Sequence, residues 1–174
     1  MGRRAVVIAA VASALTCMSQ DLDACGDKFL RLGQSARLKA YASIHPTSIL
    51  VYQPATPDPK GVKAFKELLN RAGHTVVFVP HGTGIAQAVA AARYDLVITD
   101  YADAATLKEQ LQPLPGRPDV LPMLRKSSKA LAAQAEKEYH CLLTPDMTKY
   151  DALVEIDHAI ELRLKAAASP GAPN

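Results

Sequence analysis

The chain has 174 residues, of which 49% are hydrophobic, 21% charged and 5% aromatic, with no tryptophan. This is enough apolar material for one aliphatic core. The formal charge of +3 is spread along the chain, and no face interleaves tyrosine with arginine. That excludes the broad basic surface that a nucleic acid or an anionic membrane requires.

Gly2-Arg3-Arg4 is a basic start, Ala5 to Leu15 is apolar, and a polar stretch leads on to Leu22-Asp23-Ala24-Cys25. This is the layout of a secretory signal peptide, and the apolar run is shorter than the roughly 20 residues a membrane-spanning helix needs. Residues 1–24 are therefore expected to be a signal peptide. Cleavage fits after Ala24, or after Ala14 in Ala12-Ser13-Ala14. The mature chain is then periplasmic or secreted, with no membrane insertion after cleavage. Leu22 to Cys25 also resembles a lipoprotein box, although Asp21 and Asp23 weigh against anchoring at Cys25. Cleavage leaves Cys25 and Cys141, which in an oxidising compartment either pair or stay as thiols.

Residues 25–47 read as a lead-in, with one helix from Ser35 to Ile44 that His45-Pro46 ends. Strand–helix units follow. Ser48 to Tyr52 is a strand, Gln53 to Pro59 a proline-stiffened loop, and Gly61 to Ala72 a helix with Val62, Phe65, Leu68, Leu69 and Ala72 on one stripe. Gly73 ends that helix. Thr75 to Val79 is the second strand. Gly82-Thr83-Gly84 opens a helix to Arg93, with Ile85, Val89 and Ala92 inward. Asp95 to Thr99 is the third strand, and Ala102 to Leu111 a helix. Val120 to Leu124 is a fourth strand, in which Pro122 signals a short or edge-like segment. Ser128 to Tyr139 is a helix and Cys141-Leu142-Leu143 a fifth strand. A capping box at Thr148 and Asp151 starts the last helix, with Leu153, Ile156, Ile160 and Leu164 inward.

Strict alternation of apolar strands and helices demands a parallel sheet covered on both faces. The expected fold is α/β: a three-layer, doubly wound, five-stranded parallel sheet over residues 48–167, in the flavodoxin-like order 2-1-3-4-5. Residues 168–174 are expected to be a disordered tail.

Tyr94-Asp95-Leu96-Val97-Ile98-Thr99-Asp100 resembles the strand that ends in the phosphoacceptor aspartate of bacterial response-regulator receiver domains. Leu142-Leu143-Thr144-Pro145 and the helix after it resemble that family's fifth strand and its continuation. The resemblance spans about 120 residues from Ser48 onward and implies a CheY-like site at the carboxyl ends of the strands. Receivers hold Mg²⁺ with an acidic pair after the first strand, since that ion takes oxygen ligands. Here those positions are Tyr52, Gln53 and Pro54, with Asp58 further along the loop. The fourth-strand hydroxyl is replaced by Arg125 and Lys126, and the fifth-strand lysine by Thr144. The resemblance thus implies a pseudo-receiver whose phosphorylation chemistry is lost. Asp100, Gln53, Arg125, Lys126 and Thr144 form the candidate binding or switch surface. Asp100 reads equally as a cap of the helix after it.

Other motifs point to blander roles. His81-Gly82-Thr83-Gly84 reads as a glycine turn before an anion site. His140-Cys141 with Met147 is a poor soft-metal set, because strand neighbours point to opposite faces. His158 reads as a helix-flank residue. No metal or other cofactor is expected. The expected function is an exported, non-catalytic, receiver-like interaction or signalling module, its partner another envelope protein. The alternative is a periplasmic small-ligand (solute) binding protein of one α/β lobe.

Overall fold

The computed structural model describes residues 36–114, 116–125 and 129–168. The expected signal peptide, Cys25, Lys126 and residues 169–174 lie outside them. The chain divides into two units, 1–40 and 41–174. Of the first, residues 36–40 are described and are helical.

The described residues of the second unit carry four strands, β1 (Ser48–Tyr52), β2 (Thr75–Val79), β3 (Leu96–Asp100) and β4 (Asp119–Met123). They alternate with helices α1 (Pro59–Arg71), α2 (Ile85–Ala91), α3 (Tyr101–Leu111), α4 (Lys129–Glu138) and α5 (Lys149–Ala168). The sheet is wholly parallel, in the order β2-β1-β3-β4. β1 and β3 are central and almost wholly buried. β2 is an edge strand, and its Val77 is exposed.

The expected fifth strand is not formed. Cys141-Leu142-Leu143 contributes one isolated bridge, Leu143 to Met123. The reason lies in Pro122. The Leu143 N–H donates to the Pro122 carbonyl at 3.0 Å, and the Leu124 N–H donates to the Leu143 carbonyl at 2.8 Å. The next rung of that ladder needs an N–H at position 122, and proline has none. The sheet therefore stops at four strands plus one bridge.

Helix limits also moved. Asp58 caps α1 by accepting from the N–H groups of Lys60 and Gly61, at 3.1 and 3.0 Å. The helix thus starts at Pro59, two residues before Gly61. A Cβ on Gly61 would meet the Asp58 carboxylate at 2.9 Å, so a glycine there lets the cap close. α2 stops at Ala91, because Ala92 is extended. Gly73 leaves α1 at φ 101, as a glycine stop should. Leu164, expected inward, is exposed on α5, and the helix continues through Ala168.

The lead-in helix does not reach Ile44. Residues 41–47 are non-helical and are held by a buried carboxylate. Asp157 of α5 accepts from the hydroxyls of Tyr41 and Ser43 and, at 3.3 Å, from the Ile44 N–H. The Tyr41 hydroxyl also lies 3.1 Å from the Leu153 carbonyl, and the Ser43 N–H donates to the Ala72 carbonyl at 2.8 Å. These tertiary bonds outcompete the local turns a short helix would offer.

Candidate functional site

The carboxyl ends of the strands bring together some of the expected residues and separate others. Asp100 ends β3 and is the N-cap of α3: its Oδ1 accepts from the Ala102 N–H at 3.2 Å. Its Oδ2 lies 3.1 Å from Nε of Arg125, the second residue past β4. Register explains the pairing, since Asp100 sits opposite Met123 in the β3–β4 ladder. Both carboxylate oxygens of Asp100 are thus engaged, one by backbone and one by a guanidinium. The pair is partly exposed, so it is worth at most about 1 kcal/mol.

On the other flank, the Tyr52 hydroxyl accepts from the Gly82 N–H at 2.8 Å, and its ring leans on His81. His81 Nδ1 is 3.8 Å from the Asp103 carboxylate. The glycine turn is therefore closed from within the fold, with Gly82 at φ 80. Behind α3, the Tyr101 hydroxyl donates to Glu138 at 2.8 Å, and its ring meets Tyr139 edge-on. That bond raises the Tyr101 pKa, and bonds from Gln134 and then Tyr101 lower that of Glu138.

Among the described residues, neither Gln53 nor Thr144 is hydrogen-bonded to Asp100. They line, with Arg125, a separate groove of about 460 Å³ over the carboxyl ends of β1 and β4, between α1 and the start of α5. Its walls are Val62, Phe65 and Leu68 from α1, Leu124 from beyond β4, and Met147 from before α5. The α1 stripe explains it. Leu69 and Ala72 are fully packed, while Val62 and Phe65, nearer the helix start, are only half-buried. The Thr144 side chain bonds to Asp146 and holds that carboxyl below its usual range.

Sequence reasoning missed three things here. Asp58 is a helix cap, not a stand-in for an acidic pair. Thr99, next to Asp100, is fully buried with its hydroxyl oxygen lacking a partner among the described residues. Asp157 sits within the apolar stripe of α5, where periodicity alone marks a core position. The His140, Cys141 and Met147 set is dispersed: Met147 faces the groove, while Cys141 and His140 line a different cavity of about 780 Å³ along the open edge of β4. Cys141 is buried, and burial, with Glu155 beside it, pushes its thiol up to about 12.

No protein-family model, curated protein or solved structure matches the chain.

Proposed function

We propose that this chain is an exported, non-catalytic interaction module of receiver-like, flavodoxin-like layout, with the segment 141–143 standing where a fifth strand would lie. The observation that carries the reading is the engagement of Asp100. A phosphoacceptor carboxylate needs an oxygen free for the phosphoryl group and another on a metal. Here one oxygen caps α3 and the other faces Arg125. No acidic residue stands at Gln53 or Pro54 to complete a hard-cation site. The partner is another envelope protein, held at the carboxyl-end loops.

The test is thermal melting with Mg²⁺ and beryllofluoride or acetyl phosphate. No shift in Tm is expected for the natural chain. A shift that disappears in Asp100→Asn would overturn the reading. Asp100→Asn keeps a cap, so it is expected to melt within about 1 kcal/mol of the natural chain.

A second reading has its own observation. The apolar groove beside Arg125 has the volume and lining of a small-molecule site, placed where parallel sheets bind ligands. It favours a mostly apolar solute with one anionic or polar group for Arg125, Gln53 or Thr144. A thermal-shift screen with and without Val62→Trp, which fills the groove, tests it. A screen without a hit, or hits that survive the tryptophan, would count against this reading.

A further inference from the structure

Away from the carboxyl-end site, α5 presents Glu155 and His158 one turn apart, toward the segment that follows α4. That spacing places both on one helix face. Cys141 comes up from the opposite side. One ligand atom from each of the three lies within 4.8 Å of the other two. The Cys141 Sγ is 3.7 Å from His158 Nδ1. Two ligands of a tetrahedral zinc, at their normal bond lengths, stand about 3.5 Å apart. The sulfur and the imidazole are therefore already at coordinating separation. The carboxylate needs only a small side-chain adjustment.

From these positions we infer that Cys141, Glu155 and His158 form a zinc-binding site with a fourth position open to solvent.

Three features support the assignment. The donor set is one sulfur, one nitrogen and one oxygen, which suits Zn²⁺ and disfavours Mg²⁺ or Ca²⁺. A thiolate, a carboxylate and a neutral imidazole carry two negative charges, so a bound Zn²⁺ is neutralised where Cys141 is buried. The ligands are also oriented. Glu155 Oε1 accepts from the Leu142 N–H at 3.2 Å, which fixes the carboxylate beside the cysteine. Cys141 is buried and His158 is exposed, so a metal enters from the solvent side and the fourth position faces water.

The arrangement also explains why the segment 141–143 is held without a strand ladder. Leu143 makes the single bridge, and Leu142 is pinned to α5 through Glu155. A metal would add a further tie between that segment and the last helix. It would raise stability in proportion to the logarithm of the free metal concentration.

Binding needs no redox partner. The thiol proton leaves to buffer as the metal–sulfur bond forms.

The experiment is titration of the reduced full chain with Zn²⁺ by calorimetry, and with Co²⁺ by absorption. One equivalent of Zn²⁺ is expected to bind and to raise Tm. Co²⁺ is expected to give a thiolate-to-metal charge-transfer band in the near ultraviolet. His158→Gln changes an exposed side chain and leaves the core alone. It is expected to weaken Zn²⁺ binding by more than about tenfold, with Tm without metal unchanged. Cys141→Ser is expected to abolish the Co²⁺ band. If that variant fails to fold, His158→Gln still decides the matter. The proposal is overturned if no Zn²⁺ binds, if binding survives His158→Gln unchanged, or if the Co²⁺ band persists in Cys141→Ser. The last result would assign the thiolate to Cys17 or Cys25.

Discussion

Asp157→Ala tests what holds the segment 41–47 onto the last helix. The carboxylate is buried and accepts from the Tyr41 and Ser43 hydroxyls and the Ile44 N–H. Hydrogen bonds to a charged group contribute about 1.5–3 kcal/mol each, so simple addition gives roughly 5–9 kcal/mol. That sum is too large, for three structural reasons. Tyr41 keeps the Leu153 carbonyl at 3.1 Å. Ile44 is 79% exposed, so water replaces the partner of its N–H. Removing the carboxylate also relieves its own desolvation. What remains is a Ser43 O–H without its acceptor, although its oxygen keeps the His45 N–H at 3.2 Å, and a lost anchor, at about 3 kcal/mol together. For a domain of this size that is a fall in Tm of about 10 °C. Urea unfolding followed by circular dichroism measures it. Ser43→Ala supplies the second arm of a double-mutant cycle, with an expected coupling of about 1–2 kcal/mol. A loss below about 0.5 kcal/mol in Asp157→Ala, or strict additivity with Ser43→Ala, would refute this account.

Two further outcomes follow from buried polar groups. His74 is buried, its Nε2 has no partner among the described residues, and its Nδ1 is 3.3 Å from the Thr47 hydroxyl. Burial lowers its pKa below 6.5, against a weaker opposing pull from Asp157. The unfolded chain thus binds a proton near pH 6.5 that the folded chain refuses, so stability is full above that pH and falls as pH drops toward the folded value. The urea midpoint should fall less between pH 7.5 and 5.5 in His74→Gln than in the natural chain, and equal falls would contradict the assignment. Thr99→Val replaces an unpartnered buried hydroxyl with a methyl group of similar size. It is expected to raise stability by about 1 kcal/mol, and a loss of that size in denaturant titration would show that the hydroxyl has a partner.

The local elements were legible because local rules dictate them. The capping box shows the pattern: Thr148 Oγ1 accepts from the Asp151 N–H at 3.2 Å, and Asp151 Oδ2 accepts from the Thr148 N–H at 3.2 Å. Gly73 stopped α1 at a positive φ for the same reason. The site was less legible. The reach of Arg125 to Asp100 follows from the β3–β4 register. The location of Thr144 and Gln53 in a separate groove depends on where α1 and α5 settle. Neither register nor helix placement is encoded within any short window.

Alternation of apolar strands with helices, read from the sequence alone, was sufficient for an α/β chain with a parallel sheet, because a parallel strand pair requires a crossover and buries both faces. The number of strands was not decided that way. Cys141-Leu142-Leu143 is as apolar as a strand needs to be, yet its ladder ends after one bridge because its neighbour there is Pro122, whose nitrogen has no hydrogen to donate. The meaning of His158 changed for a related reason. On its own helix it is a flank residue, and only the packing of the 141–143 segment against α5 sets its imidazole 3.7 Å from a buried sulfur. Pairings across distant segments depend on which partner the fold delivers, and no local propensity carries that information.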